Sequence, residues 1–265
     1  MPENEKYALI TGATSGIGYE LAKLFAKDQY NLVIVARNAG ELEKTASELK
    51  RDSGIDVITI SKDLFKKESP YEVYDEITSR GLQIDVLVND AGQGLYGEFT
   101  ETDLDKELDI IQLNIGASVI LTKCFLKEMV ARKEGKILNL ASIASKVPGP
   151  YQSVYHGTKA FIHSWTEAIR SENKDSGVVI TSLLPGATDT DFFNKADMND
   201  SKIVQQGSLA DPAKVAKDGY EALMSNDDMV ISGFKNKAQI AMSNVTPDSM
   251  VADSMLKQQG PVDEE

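Results

Sequence analysis

The sequence predicts an α/β fold: a doubly wound parallel sheet of about seven strands, flanked by helices on both faces, in a single domain of 265 residues. Three observations predict it. Short β-branched runs alternate with longer amphipathic stretches, the order that builds crossover-connected parallel strands. The runs 32–36, 86–88 and 178–184 are almost continuously apolar, as strands covered on both faces by helices must be. A glycine-rich turn, Thr11-Gly12-Ala13-Thr14-Ser15-Gly16-Ile17-Gly18, stands directly between the first strand and the first helical stretch.

In chain order, the expected strands are Tyr7–Thr11, Asn31–Ala36, Val57–Ser61, 85–89, 136–141, Val178–Leu184 and Met229–Ile231, and helical periodicity fills most gaps between them. The first amphipathic helix is 17–27, and another is expected over 150–174. A further helix starts at Asp211-Pro212. The core of the domain is expected to run from about 6 to 235. Residues 236–265, with Pro247, Gly260, Pro261 and an acidic end, read as one more helix and a frayed tail. There is no internal repeat, low-complexity tract or Gly/Ser/Pro linker to divide the chain.

Composition narrows the function classes. With 28 basic and 41 acidic residues the net charge is −13, which argues against nucleic acid or an anionic membrane as partner. Uncharged stretches such as 110–122 fall short of the roughly 18 apolar residues of a membrane span. The acidic start M-P-E-N-E-K lacks a basic region and apolar segment, so a cytoplasmic location is expected. The single cysteine, Cys124, reads as a small core filler. His156 and His163 have no cluster of acids or thiols beside them, and no metal site is expected.

The glycine turn carries the first chemistry. Glycines let the backbone approach a pyrophosphate, and the following helix offers unpaired amides and a partial positive charge. At the end of the second strand the chain reads Val35-Ala36-Arg37-Asn38. An acid there would bind ribose hydroxyls, whereas Arg37 can meet a 2′-phosphate, which favours NADP(H). Asp63, after the third strand, has the placement either of an adenine contact or of an N-cap.

Tyr155 and Lys159 are four residues apart, so a helix over 150–174 puts phenol and ammonium on one face. Alone, such a pair is usually an exposed aromatic-cation neighbour pair. Ser142, thirteen positions upstream at a strand end, can bring a hydroxyl to the same place.

Five ordered motifs carry a resemblance: T-G-x-x-x-G-x-G at 11–18, N-D-A-G at 89–92, Asn114, Ser142 with Tyr155-x-x-x-Lys159, and Pro185-Gly186 followed by Thr190. Over roughly residues 6 to 235 the chain resembles the short-chain dehydrogenase/reductase family in its single-domain form, which implies a Rossmann-type fold. One departure is Asp90, where the family usually carries a second asparagine. That position serves sheet and loop structure in the family, so an effect on local stability is expected.

The resemblance implies an NADP(H)-dependent oxidoreductase that reduces a ketone or aldehyde to an alcohol, and the reverse. Tyr155 would be the general acid/base. Lys159 would lower its pKa and bind the nicotinamide ribose, Ser142 would polarise the carbonyl, and Asn114 would support a proton relay. Cofactor contacts are implied for Gly12, Thr14, Ser15, Gly16, Ile17 and Gly18. Further contacts are implied for Arg37, Asn38, Asp63 and Leu64, for Asn89, Ala91 and Gly92, and for Tyr155 and Lys159. Pro185, Gly186, Thr188 and Thr190 would meet the nicotinamide end, with 189–210 covering the substrate.

Leu95, Tyr96, Phe99, Val147, Pro148, Tyr151, Phe192 and Phe193 are the expected pocket residues, suited to an apolar carbonyl compound. Without an arginine cluster for a carrier phosphate, a carbonyl reductase is favoured over an enzyme of 3-oxoacyl thioesters. A non-catalytic NADP(H)-sensing or scaffold protein is the alternative class. Helices around Asn114 and Tyr155 commonly form dimer and tetramer interfaces in the family, so a homodimer or homotetramer is expected, with Ile120, Phe125, Phe161 and Trp165 placed either at that interface or, equally, against the sheet.

Overall fold

A computed structural model describes residues 5–262. Seven strands, β1 (Tyr7–Thr11), β2 (Asn31–Ala36), β3 (Val57–Ser61), β4 (Val86–Asn89), β5 (Gly135–Leu140), β6 (Val178–Leu184) and β7 (Met229–Ile231), form one sheet in the order β3-β2-β1-β4-β5-β6-β7. Every pairing is parallel. The expected strands are present; β4 begins one residue later, and β5 runs one residue earlier at each end.

Helices α1 (Gly16–Lys27), α2 (Ala39–Ser53) and α3 (Ser69–Ser79) connect the first strands. After β4 come α4 (Leu104–Ile111), a π-helical turn Gln112–Ala117, and α5 (Ser118–Arg132). Then follow α6 (Ser153–Glu172), the short α7 (Phe192–Lys195) and α8 (Lys202–Gln205), α9 (Pro212–Met224), α10 (Phe234–Ser243) and α11 (Asp248–Gln259).

Alternation along the strands divides the core into two layers. Ala8 and Ile10 of β1, with Leu32 and Ile34 of β2, pack on Leu21 and Phe25 of α1, Leu42 of α2 and Val215 of α9. Leu9, Val33 and Val35 face the other way, onto Val73 and Ile77 of α3 and Leu121, Phe125 and Met129 of α5. Helix ends follow local chemistry. The Asn38 side chain accepts from Gly40 N and Glu41 N, and Gly54 closes α2 in the left-handed region at φ 69°. Asp211 caps α9 by accepting from Ala213 N, with Pro212 in its first turn.

The continuous helical stretch Leu104–Arg132 is long and apolar enough, by length and composition alone, to cross a bilayer, with a mean hydropathy of 1.4 over an 18-residue window within it. Here it is a core element, because Leu113, Ala117, Leu121, Phe125 and Met129 lie against the sheet. Phe125, one of the expected interface residues, is therefore spent on the core. Leu104, Leu108, Ile111 and Phe161 stay exposed, and Phe161 stacks on Trp165 at 6.2 Å.

The end of the chain departs from expectation. Two helices, α10 and α11, replace the single one, and the described residues of the tail are tied down. Tyr96 donates to Gln259 O at 2.6 Å, Val262 N donates to Asp200 O at 3.0 Å, and Ser201 bridges Pro261. These bonds link positions far apart in the chain, so no local pattern announces them.

Candidate active site

β1 pairs with β2 on one side and β4 on the other, so the chain's crossovers diverge there and leave a crevice at the carboxyl ends of the strands. A cleft of about 1250 Å³ opens at that point. Its walls include Gly12, Thr14, Ser15, Gly16 and Ile17 from the glycine turn, Arg37 and Asn38 after β2, Leu64, Ala91 and Gly92. Ser142, Tyr155 and Lys159 line its middle, and Pro185, Gly186, Thr188 and Thr190 line it beyond β6.

The turn is shaped by backbone conformations that only glycine takes easily. Gly12 and Gly16 have φ of 75° and 58°, and a methyl group on Gly16 would lie 2.9 Å from Thr190 Cγ2. Ser15 opens α1 with no side-chain cap, which leaves first-turn amides facing the cleft. Gly18 lets α1 close on its neighbours, since a Cβ there would stand 2.4 Å from Asp90 Oδ2 and 2.6 Å from Gly12 O. Gly18→Ala is thus expected to cost about 1–3 kcal/mol of stability by overpacking, measured as a fall in the denaturant midpoint at unchanged m-value. A dinucleotide fits this cradle in volume, in backbone access and in the polarity of the helix end.

Arg37 is exposed, with its guanidinium carbon 4.8 Å from the Phe65 ring centroid, so the phenyl face holds the cation at the cleft edge. Asn38 does double duty on the wall and as the cap of α2. Asp63 is not on the wall. It accepts from Phe65 N at 3.3 Å and shapes the turn that presents Leu64, while α3 begins later at Ser69. Asn89 also falls short of the cleft: its Nδ2 donates to Thr122 Oγ1 and Asn139 Oδ1 at 2.9 and 2.8 Å, stitching β4 to α5 and β5.

Asn114 lies in the π-helical turn, 2% exposed. Its Oδ1 accepts from Gln93 N and its Nδ2 donates to Gln93 O and Thr158 Oγ1. One amide thereby ties the loop after β4 to the helix carrying Tyr155 and Lys159, and the widened turn makes room for it.

Ser142 follows β5, where its Oγ accepts from Ala144 N at 3.1 Å and donates to Pro185 O at 3.3 Å. Burial pushes the Tyr155 phenol up to about 12, and a hydrogen bond with Ser142 opposes that rise. Lys159 is buried, with Nζ 5.8 Å from the Tyr155 ring centroid and donating to Leu140 O at 2.8 Å. Desolvation brings its pKa down to about 8, against the pull of the Asp90 carboxylate. In the cofactor-free cleft, desolvation of the phenol outweighs the lowering expected from Lys159, whose ammonium donates to a backbone carbonyl. The arrangement keeps a protonated phenol beside a serine hydroxyl, a donor pair for an oxygen that gains negative charge.

The substrate end was less legible from the sequence. Val147, Phe192 and Phe193 are on the wall, but Leu95, Tyr96, Phe99, Pro148 and Tyr151 are not. Phe99 is 65% exposed, and Tyr96 stacks on Tyr151 at 5.4 Å to form a prop beneath the C-terminal segment. In their place stand Gln152, His156, Met198, Met255 and Gln259. Gln152 Nε2 reaches Met198 Sδ at 2.7 Å, and His156 contacts Val147 O through Nδ1 and Gln259 through Nε2. Burial lowers the His156 pKa and favours its neutral form. Phe192 closes over Tyr155 with ring centroids 5.1 Å apart.

Comparison with known proteins agrees with this architecture. A family model described as short chain dehydrogenase matches residues 6–201. A very-long-chain 3-oxoacyl-CoA reductase of Coprinopsis cinerea is 34% identical over 180 residues, 67% of this chain and 53% of that protein. The chain thus spans about half the length of that relative. An uncharacterized oxidoreductase of Staphylococcus epidermidis is 30% identical over 207 residues, covering 78% of this chain and 88% of that one. Among solved structures, a short-chain dehydrogenase from Sphingobium yanoikuyae in complex with NADPH superposes with a TM-score of 0.81 at 25% identity, covering 91% of this chain and 96% of that chain.

Proposed function

The chain belongs to the short-chain dehydrogenase family, and from that premise we propose that it is an NADP(H)-dependent reductase of ketones or aldehydes. The observation that carries the reading is the meeting of Ser142, Tyr155 and Lys159 on one wall of the cleft, beyond a glycine turn suited to a pyrophosphate. A bound nicotinamide supplies the hydride. The chain's own residues do the rest.

Ser142 donates a hydrogen bond to the carbonyl oxygen and stabilises the charge that develops there. Tyr155 gives its proton to that oxygen, which its high pKa suits in the reducing direction. Lys159 offsets the negative charge left on the phenolate and holds a ribose hydroxyl. Asn114 fixes the loop against α6, so that these groups keep their spacing. Phe192 and the segment 189–210 exclude water above Tyr155.

Arg37 is the residue proposed to choose the phosphorylated cofactor. Arg37→Glu is expected to weaken NADPH binding by about 10- to 100-fold, the worth of one charge-assisted contact, while NADH binding changes far less. Fluorescence titration with both cofactors checks this. Tighter binding of NADH than NADPH by the wild type would remove the NADP(H) assignment.

A second substrate reading is a 3-oxoacyl thioester, favoured by the similarity to the very-long-chain 3-oxoacyl-CoA reductase of Coprinopsis cinerea. The deciding experiment follows NADPH consumption with a panel of ketones, aldehydes and a 3-oxoacyl-CoA, in wild type and Tyr155→Phe. NADPH binding without consumption for every carbonyl would instead favour the cofactor-sensing alternative. Leu104, Leu108 and Ile111 of α4 and Phe161 of α6 are exposed apolar side chains that could be covered in the proposed homodimer or homotetramer, which light scattering measures directly.

A further inference from the structure

Asp90 sits where β4 ends, on the cleft wall, with its carboxyl tucked beneath the glycine turn. Three neighbouring elements hold it. Its backbone N–H donates to Thr11 Oγ1 of β1 at 3.1 Å, and Gly18 of α1 gives its backbone N–H to the carboxylate. Lys159 of α6 is the charged group whose field reaches it. The same ammonium lies 3.3 Å from the position a Cβ on Gly92 would take, two residues along the chain from Asp90.

A neutral amide could also accept the Gly18 N–H, though less strongly than a carboxylate, so bracing the turn does not by itself require a charge. The carboxylate is costly in this place, since burial pushes its pKa up to about 7. Lys159 is desolvated too, with Leu140 O as its hydrogen-bond partner among the described residues. Each ion lowers the other's cost when both are charged.

We propose that Asp90 is a positioning residue for Lys159: its carboxylate, anchored under the glycine turn, is the counter-charge that keeps the buried ammonium protonated in the cleft. The inference rests on the reading of Lys159 as the working cation of a reductase, and it assigns this chain's departure at Asp90 an electrostatic role. No other charged side chain acts on this carboxylate from the elements packed against it; the Thr11 hydroxyl and the Gly18 amide are neutral among the described residues.

The test is a carbon-13 NMR titration of the Lys159 Cε signal in the cofactor-free full-length protein, assigned by its loss in Lys159→Arg. In Asp90→Asn and in Asp90→Ser, both uncharged, the midpoint is expected about one pH unit below wild type, the size of one nearby charge partly screened by the cleft. The alkaline limb of NADPH-dependent turnover should move down with it.

A midpoint unchanged in both variants would overturn the proposal and leave Asp90 as a loop brace. Should neither variant fold, coupling is read from the other side: the Asp90 carboxyl titration in wild type must shift upward in Lys159→Met, and an unmoved one is equally fatal. The NMR readout needs no turnover. A shifted Lys159 in a protein that oxidises no NADPH would sustain the charge pair and remove the reductase reading alone.

Discussion

Tyr155→Phe is expected to lower kcat for NADPH-dependent carbonyl reduction by about 10³-fold, within the range for losing a positioned general acid. Only the hydroxyl is removed, and the ring still packs under Phe192 at the same place. NADPH affinity should therefore change by no more than about threefold, because the lost interaction matters in the transition state rather than in the bound complex. Stopped-flow measurement of NADPH consumption, paired with fluorescence titration, separates the two quantities. A variant that retains wild-type turnover would mean that another group delivers the proton, and the proposed role of Tyr155 would be withdrawn.

Lys159→Met is expected to cut kcat/KM by about 10²-fold or more and, in the cofactor-free protein, to raise Tm at neutral pH. The first effect follows from losing the cation beside the phenolate. The second follows from linkage. The folded pKa of Lys159, about 8, lies below the 10.5 of an ordinary lysine, so folding disfavours the charged form. That penalty is present in full below pH 8 and is relieved as pH rises through 8 toward 10.5. Methionine keeps the length of the side chain without the charge, so the Tm advantage of the variant should be largest at pH 6–7 and shrink above pH 8.

Asp90 contributes in the opposite sense to its usual carboxylate role. Its folded pKa is raised, so its stabilising effect is present below the ordinary carboxylate range and lost as pH rises through about 7. Thermal melts across pH 5–10 resolve both trends. A Tm lower in Lys159→Met than in wild type at pH 6–7 would show that the ammonium's contact with Leu140 O outweighs its burial cost. Improved stability with lost function is the expected mark of a strained site.

The glycine turn, the β-branched runs and the spacing of Tyr155 to Lys159 are local signals, since each depends on residues close in sequence. The seven strands, their parallel pairing and the walls formed by Gly12, Thr14, Ser15, Gly16, Ile17, Ser142, Tyr155 and Lys159 were accordingly legible without coordinates. The polar partners of Asp63 and Asn89 were not. Only the path of the chain shows that Asn89 donates to Asn139 and Thr122 and that Asp63 accepts from Phe65 N within its own turn. The substrate end was harder still, because Tyr96 and Gln259 meet across 163 positions and neither carries a pattern that announces the contact.

By itself, then, the sequence determined the α/β class, the strand order along the chain and the identity of the turn and helix that build the cleft. These follow from periodicities of two and 3.6 residues and from glycine's freedom at positive φ. The tertiary structure alone decided which surface each polar group serves. It brought Asp90 and Lys159 into one cleft, folded α11 onto the first turn of α6, and buried the Tyr155 phenol. Burial and long-range juxtaposition control these outcomes: desolvation acts on a group through everything packed around it, and sequence spacing does not record that.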